Sequence, residues 1–390
     1  MHNFTLHLST KLYFGIDEEK KIGEIIKNYG FKNILIFGGE HSLIKSGLLS
    51  LVEQKLNEKG IKYHIYKGIT PNPEIKFVRE ALAIAKKEKI DFILAIGGGS
   101  VIDVAKVVSV AYYYDGDPLD FNAHKTEAKK ALPLGVILTH SAAGSEMSTS
   151  AVISDSQNDF KQGFNSQLIR PLFAIENPRY TLTLSPFQTA VGIVDIMMHT
   201  LERYFNESSP ALLSDSLAEG VLRNVIENAY RLIDNPQDEE ARANIMLANS
   251  FSHNGITGMG KPQKMPVHGL EHALSGRFPH VAHGAGLAIL FPAWARYYQP
   301  YEIDKFDRFA RRVFDLNFED KDSNGKLAIK ALEDLFVKMG LSLKLSSFGV
   351  KEGDLETLAL IATRQKSVEI YHYLKPLDFA AVQKIYHDCL

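Results

Sequence analysis

The first half of the chain alternates short β-forming runs with amphipathic helical segments, and this pattern restricts the possible folds more than any other feature. A strand, a helix and a second strand form a crossover, and successive crossovers build a parallel sheet covered by helices. The sequence therefore predicts an α/β domain with a parallel, Rossmann-like sheet. The predicted elements are strands at 33–37, 62–66, 91–96, 134–138, 151–154 and 171–175 and helices at 43–59 and 74–88.

The pattern changes after Asn177-Pro178. From there, apolar residues recur at three- and four-residue spacing, which is typical of helices, without matching strand signals. Because 390 residues exceed the usual size of one domain, we expect an α/β domain at 1–180 and an all-helical domain at 181–390. The motifs described below predict that the first is a dinucleotide-binding domain and the second a metal- and substrate-binding domain. The predicted helices of the second domain cover 186–204, 211–233, 239–251 and 306–314.

Charge and composition exclude several functional classes. The chain has 44 lysine and arginine and 46 aspartate and glutamate residues, without the basic excess of a general nucleic-acid-binding protein. A hydrophobic fraction of 45% excludes disordered and fibrous classes. No long apolar run predicts a membrane span, and the single cysteine, Cys389, cannot form an intrachain disulfide. We therefore expect a cytoplasmic enzyme that binds neither nucleic acid nor membrane.

Two turns that follow predicted strands are candidates for cofactor contacts. Residues 97–100 (GGGS) begin a helix, where free backbone N–H groups and small residues favour a bound phosphate. The alternative is a tight turn that only lets the helix pack close to the sheet, and the spacing is not GxGxxG. The second turn, 139–146, is interpreted either as a solvated, hydroxyl-rich loop or as a cofactor-contacting loop.

The helical half carries an aspartate and several histidines at spacings that suit a metal site. Asp195 and His199 are four residues apart, so a helix places the carboxylate and the imidazole on one face. His268 and His272 repeat this spacing with two imidazoles. A lone histidine is more often a surface or core residue, but one aspartate with three histidines in apolar helices suits Fe(II) or Zn(II).

The last metal ligand remains open at this point. His283 lies in a His-Gly-Ala-Gly segment, and His280 is a competing candidate three residues earlier. With His272 included, there are more candidate side chains than the four positions of a tetrahedral site.

The motifs in this chain occur together along nearly its whole length. They are GGGS at 97–100 with DVAK at 103–106, the turn 144–146, Asn177-Pro178, the segment 192–204 with Glu202 and Tyr204, and the histidine segment 268–292. Taken together they resemble the iron-containing (group III) alcohol dehydrogenase family. The resemblance is strongest to its branch of NADPH-preferring butanol dehydrogenases and broad-range aldehyde reductases.

This resemblance implies a role for each candidate residue. The implied metal ligands are Asp195, His199, His268 and His283. His272 corresponds to a histidine that lies near the nicotinamide and does not bind the metal. The cofactor is expected in the cleft between the domains, with the pyrophosphate on the glycine turn. The expected cofactor-binding residues are Gly38, Gly39, Ser42, Asn72, Gly97, Gly98, Gly99, Ser100, Asp103, Thr139, Ser145, Lys161 and His272.

The residues after the first predicted strand favour NADP over NAD. NAD-preferring relatives tend to have an acidic residue there that binds the ribose diol, whereas this chain has Gly38-Gly39. With Ser42, the glycines leave room for a 2′-phosphate, although Glu40 would repel that phosphate if its side chain pointed inward. NAD is the alternative cofactor. The resemblance also implies a homodimer formed by the dinucleotide-binding domains.

The implied reaction is hydride transfer between the nicotinamide and a small aliphatic aldehyde or primary alcohol, such as butanal or butanol. The metal is expected to act as a Lewis acid on the carbonyl. His272 is expected to relay the proton, because imidazole titrates near neutral pH. Apolar residues in the metal-bearing segments, such as Ile193 and Leu270, suit an aliphatic substrate.

Four other functions account for parts of the sequence. An enzyme similar to 3-dehydroquinate synthase would need clustered lysine and arginine beside the metal, and the apolar segments also disfavour a glycerol dehydrogenase. A purely structural metal protein conflicts with the lack of cysteine near the site. A zinc hydrolase would use the inverted HxxEH pattern from His268 to His272, but that function leaves the glycine turns and Asp195 unexplained.

Overall fold

The computed structural model describes residues 1–39, 47–206 and 211–390, which divide into two compact units. The first unit is His7–Thr183, and the second contains Leu184–Leu390 together with Met1–Leu6. The amino-terminal segment Met1–Leu6 therefore groups with the second unit, whereas the sequence analysis placed it in the first.

The first unit is built on eight strands within the described residues. Six of them form a parallel sheet, and the other two form an antiparallel hairpin. The strands are β1 (Lys11–Phe14), β2 (Asn33–Gly39), β3 (Lys62–Ile69), β4 (Phe92–Gly97), β5 (Leu134–Leu138), β6 (Ser150–Asp155), β7 (Phe160–Asn165) and β8 (Phe173–Glu176). The sheet order is β1-β8-β5-β4-β2-β3. This confirms the predicted parallel α/β fold, but the predicted strand 151–154 lies in the β6–β7 hairpin instead of the sheet.

Helices follow the sheet strands and cover them. Every residue of β4 and β5 is buried, as expected for central strands of a parallel sheet with both faces covered. The described helices of this unit are α1 (Ile22–Tyr29), α2 (Leu48–Asn57), α3 (Ile75–Glu88), α4 (Gly99–Ala111) and α5 (Leu119–Asn122). The predicted helix 43–59 is observed over the residues of α2, and its first part lies outside the described residues.

The second unit is helical, as predicted. Its described residues contain no β-strand beyond an isolated bridge between Ile370 and Leu377. None of the described helices is both long and apolar enough to cross a lipid bilayer. The helices are α6 (Pro186–Tyr204), α7 (Leu212–Asp234), α8 (Glu239–His253), α9 (Pro266–Arg277), α10 (His283–Tyr298), α11 (Ile303–Phe314), α12 (Lys321–Lys338), α13 (Leu355–Ala362) and α14 (Phe379–Asp388).

Helix α6 is the central helix of this unit. Its start is fixed by a capping box, in which the Ser185 hydroxyl accepts the Gln188 N–H and the Gln188 side chain accepts the Ser185 N–H. From Ala190 to Tyr204 every residue is buried. A polar residue on this stretch therefore needs a partner within the unit.

The start of α10 packs directly on α6. A Cβ atom added at Gly284 would lie 2.0 Å from the carbonyl oxygen of Val191 and 2.7 Å from its carbonyl carbon. Only a glycine allows this approach, because the obstructing atoms are backbone atoms that no rotamer change can move. Gly284 thereby sets the position of His283, the residue that precedes it in the helix.

We predict that Gly284→Ala lowers the free energy of unfolding of the helical unit by about 1–3 kcal/mol, the usual cost of overpacking. The matched control is Gly220→Ala on α7, where an added Cβ meets no described atom within 4 Å. The control should raise stability by roughly 0.5–1 kcal/mol, since alanine favours helix over glycine. Urea unfolding followed by fluorescence of the single tryptophan, Trp294 on α10, reports on this unit. Equal effects of both substitutions would contradict the close packing.

Candidate metal and cofactor site

Three of the sequence-predicted metal ligands form one cluster. Asp195 and His199 project from α6, and His268 projects from the first turn of α9. One carboxylate oxygen of Asp195 and one nitrogen of each histidine lie within 4.8 Å of one another. All three residues are buried.

His283, at the start of α10, faces the same aspartate. Its Nε2 lies 3.8 Å from Asp195 Oδ1, while His268 Nε2 lies 3.7 Å and His199 Nδ1 3.1 Å from that oxygen. Ligand bonds of about 2.0–2.2 Å in a tetrahedral site separate the ligand atoms by roughly 3.3–3.5 Å. The spacings to His268 and His283 are close to this value. His199 Nδ1–H donates to the Asp195 backbone carbonyl at 3.0 Å, which leaves Nε2 of His199 as the nitrogen that can bind a metal. The His283 side chain is 24% exposed, so it forms the accessible side of the cluster.

Two atoms of the cluster need a further partner. Asp195 Oδ1 and His268 Nε2 are buried, and neither makes a hydrogen bond with a described residue, since the hydrogen of His199 Nδ1, 3.1 Å from Oδ1, is donated to the Asp195 backbone carbonyl. They face one another across 3.7 Å, a gap too long for a hydrogen bond. A cation bound by both atoms would satisfy them, so these residues fit a divalent metal ion.

Two glutamates hold the outer nitrogens of the histidines. Glu202 bonds to Nδ1 of His268, and Glu271 bonds to Nδ1 of His283. Both glutamates are buried. Neither glutamate was predicted from the sequence to act at the metal. Each lies three residues after a histidine, in His199-x-x-Glu202 and His268-x-x-Glu271. This three-residue spacing is the sequence signal by which both glutamates could have been found.

The charges in the cluster shift the pKa values of its members. Burial disfavours the charged form of Asp195, but His199 and His283 outweigh it and hold the pKa of this carboxyl well below its usual range. Burial lowers the pKa of His199 to about 4. Burial acts in the same direction on His268, but Glu202 and Asp195 raise its pKa to about 9. A metal ion that binds His268 therefore competes with a proton.

The two remaining histidine candidates lie apart from Asp195. The ring of His272 is 5.7 Å from that of His283, and together with Glu271 these residues form a second group with ligand atoms within 4.8 Å. In that group, however, Glu271 already bonds to His283 Nδ1. His280 is exposed, and its Nε2–H donates to the Phe348 carbonyl at 2.9 Å. His280 is thus bonded to Phe348, and His283 occupies the position beside Asp195.

The apolar residues from which the sequence analysis inferred an aliphatic substrate pocket lie in the hydrophobic core. Those described as buried core residues are Ile193, Val194, Ile196, Met197, Met198, Leu270, Ala273 and Leu274. Packing of the helical unit explains their apolar character. The apolar character of these residues therefore does not indicate which substrate the protein binds.

In the α/β unit, the predicted cofactor turns meet at one edge of the sheet. Gly38 and Gly39 end β2, Gly97 ends β4 and Thr139 follows β5, and these strands are adjacent and parallel. Gly98 is the N-cap of α4, so the free N–H groups of that helix lie at this edge.

The second turn, 139–146, packs closely against the glycine turn, 97–100. A Cβ atom at Gly98 would lie 3.1 Å from His140 Cβ, and one at Gly99 would lie 3.0 Å from Ala143 Cβ. Glycine at both positions therefore lets the loop after β5 pack against the start of α4. The two turns that the sequence singled out form one surface.

Asp103 and Ser145, both predicted to contact the cofactor, contact each other. Asp103 accepts hydrogen bonds from the Ser145 hydroxyl at 2.7 Å and from the Val152 N–H at 2.9 Å. Lys106, also on α4, is fully buried and donates to oxygens of Ser145, Ser148 and Ser150. Lys106 was not among the residues predicted to bind the cofactor and appears in the sequence only as part of the DVAK motif at 103–106. These contacts hold the 145–152 segment against α4.

The other predicted cofactor residues are Asn72, Lys161, Ser100 and Ser42. Lys161 on β7 donates to Asn72 Oδ1 at 3.0 Å, so these two predicted residues are adjacent. Ser100 lies in the first turn of α4. Ser42, and with it Glu40, lies outside the described residues.

The family model described as iron-containing alcohol dehydrogenase matches residues 9–178, and the model of the Fe-containing alcohol dehydrogenase C-terminal domain matches residues 189–390. The chain belongs to the iron-containing alcohol dehydrogenase family. This confirms the family and the enzyme class, an oxidoreductase, that the motifs predicted.

Individual members of the iron-containing alcohol dehydrogenase family resemble this chain over its whole length. NADH-dependent butanol dehydrogenase A of Clostridium acetobutylicum is 36% identical over 389 residues, which cover 99% of both chains. NADPH-dependent aldehyde reductase YqhD of Escherichia coli is 34% identical over 361 residues, 92% of each chain. The crystal structure of NADH-dependent butanol dehydrogenase A from Thermotoga maritima has a TM-score of 0.95 at 36% identity and covers 99% of this chain and 98% of its own.

Proposed function

We propose that this protein is a metal-dependent alcohol dehydrogenase and aldehyde reductase that transfers hydride between a nicotinamide cofactor and a small aliphatic aldehyde or primary alcohol, such as butanal or butanol. The observation that carries the metal dependence is the buried Asp195 oxygen, which faces nitrogens of three histidines. The substrate class is supported by similar proteins named butanol dehydrogenase and aldehyde reductase.

The proposed ligands are Asp195, His199, His268 and His283. One carboxylate with three imidazoles suits Fe(II) and Zn(II) equally in donor type. When bound, the ion supplies a Lewis acid that polarises the substrate carbonyl. The protein's contribution is to hold the donors in a buried site from which most water is excluded, on helices α6, α9 and α10.

His272 is the proposed catalytic residue. It lies one turn after His268 on α9, is partly exposed and has its ring beside the accessible ligand His283. From this position its imidazole relays a proton between solvent and the substrate oxygen, which gains a proton when an aldehyde becomes an alcohol. The nicotinamide supplies or accepts the hydride.

The proposed cofactor surface is the edge of the sheet formed by the glycine turn and the loop after β5. The N–H groups at the start of α4 would bind the pyrophosphate, and Asn72 and Lys161, which contact each other, would also bind the cofactor. Asp103 and Lys106 act by holding the Ser145 turn in place. Gly38 and Gly39 offer no carboxylate to a ribose, which favours NADP, with NAD as the alternative.

We further propose a cytoplasmic homodimer that forms through the α/β units. Strand β1 lies at one edge of the six-stranded sheet that the described residues form, and an edge strand can pair with a second chain through its outer backbone groups. Light scattering coupled to size-exclusion chromatography should give twice the chain mass of 43.6 kDa, and a monomeric mass would contradict the dimer.

The decisive assay follows NADPH and NADH oxidation with butanal and a panel of small aldehydes. The protein is stripped of metal with a chelator and reloaded with Fe(II) or Zn(II). We expect oxidation only after reloading, and a higher kcat/KM with NADPH than with NADH. Oxidation of glycerol is measured in parallel to test for the alternative activity of a glycerol dehydrogenase. A protein that binds metal and nucleotide but reduces no aldehyde would contradict the proposed function.

Substitutions separate the proposed ligands from the proposed proton relay. Asp195→Ala and His268→Ala should lose metal and activity together. His272→Ala should keep the metal but lower kcat by about 100-fold or more, the usual contribution of general acid–base catalysis. His280→Ala is the matched control, because this histidine is exposed and bonds to the Phe348 carbonyl, and it should keep both metal and activity. Metal analysis and steady-state kinetics check each variant, and a His272 variant without metal would overturn the assignment.

A further inference from the structure

We infer that Glu202 and Glu271 are positioning residues of the metal site, each of which holds the Nδ1 atom of one histidine so that its Nε2 atom faces Asp195. The inference rests on the proposed metal-dependent function. It concerns the two carboxylates beyond the four proposed ligands, and it follows from where their oxygens lie.

Glu202 fixes both the backbone and the ring of His268. It lies on α6, three residues after His199, and is buried. Its Oε2 accepts the Val267 N–H at 2.7 Å, and its Oε1 accepts the His268 N–H at 3.1 Å as well as His268 Nδ1. The backbone N–H groups in the first turn of a helix have no partner inside it. One carboxylate therefore caps α9 and orients its histidine.

Glu271 fixes the ring of His283. It lies on α9, three residues after His268, and is buried. Its Oε2 bonds to His283 Nδ1. Gly286, one turn along α10, makes room for it, because an added Cβ would lie 2.9 Å from Glu271 Cγ and 3.2 Å from Oε1.

The two contacts connect the three helices in series. A glutamate of α6 holds the histidine of α9, and a glutamate of α9 holds the histidine of α10. Each carboxylate requires a proton on Nδ1, so the neutral imidazole carries its lone pair on Nε2, the atom that faces Asp195. A carboxylate on the outer nitrogen also makes the imidazole a more basic ligand.

The same contacts disfavour two other roles for these glutamates. A general base in a hydrolase must be within hydrogen-bond reach of a water at the metal, but Glu271 Oε2 bonds to the nitrogen of His283 that faces away from Asp195. A helix cap alone would explain the two N–H bonds of Glu202, but not the bond of Glu202 to the His268 ring or the bond of Glu271 to the His283 ring.

The test compares Glu202→Gln and Glu271→Gln with Glu19→Gln. Glu19 is a matched control, because it is also buried but accepts hydrogen bonds from Asn177 Nδ2 and the Tyr180 hydroxyl, both at 3.0 Å, in the α/β unit. Co(II) is titrated into the full-length, metal-free proteins against a chelator, and its visible absorption reports the ligand geometry. Thermal unfolding of the metal-free variants separates loss of fold from loss of metal.

We expect both glutamate variants to bind Co(II) about 10- to 100-fold more weakly, with a changed visible spectrum, while Glu19→Gln keeps the wild-type affinity and spectrum. The loss should be larger for Glu202→Gln, because either orientation of the amide places its NH₂ group against a donor N–H. Gly286→Ala, which pushes on Glu271, should weaken binding in the same direction.

The Co(II) titrations distinguish failure of the positioning role from failure of the proposed function. If the folded Glu271→Gln and Glu202→Gln proteins bind Co(II) with wild-type affinity and spectrum, the positioning role is wrong while the metal site stands. If the wild-type protein itself binds no Co(II) or Zn(II), the proposed function is wrong. Should Glu202→Gln fail to fold, Glu271→Gln alone decides, because its bond to the His283 ring tests the same role.

Discussion

The helical unit depends on one buried carboxylate. Asp195 lies in the middle of α6, among residues that are buried on every side, and its Oδ1 faces three imidazole rings. A charge in such a place is strongly unfavourable unless opposite charge or hydrogen bonds compensate it. The histidines provide part of that compensation, and a divalent cation would provide the rest. The helices that carry the histidines must therefore meet at this residue.

The close contacts around Asp195 show how the chain meets that requirement. Gly284 allows α10 to lie on the backbone of α6, and Gly286 leaves space for Glu271. Glu202 joins α6 to the first turn of α9. Small residues and buried carboxylates thus fix helix positions at the same places where they fix histidine rings. Packing and ligand geometry are consequences of the same few residues.

Elements that are defined by signals within their own segment could be predicted from the sequence, whereas elements that are defined by pairing with a distant segment could not. Helix α6 was predicted with its observed bounds, because the apolar spacing that indicates it lies within the segment itself. Strand β7 was missed, since its sequence FKQGFN is largely polar and it is defined by pairing with β6. Likewise, the spacing of Asp195 and His199 was visible, but the partner of Glu271 is His283, twelve residues away, and only the fold brings them together.

The central claim is that one divalent ion occupies the space between Asp195 and the three histidines. Anomalous diffraction from crystals of the Fe(II)- or Zn(II)-loaded protein, recorded at the absorption edge of the metal, tests it most directly. The account predicts one ion per chain, within about 2.0–2.2 Å of an Asp195 oxygen and of one nitrogen each of His199, His268 and His283. An ion bound instead by Glu271 and His272, or no ion in this space, would contradict it.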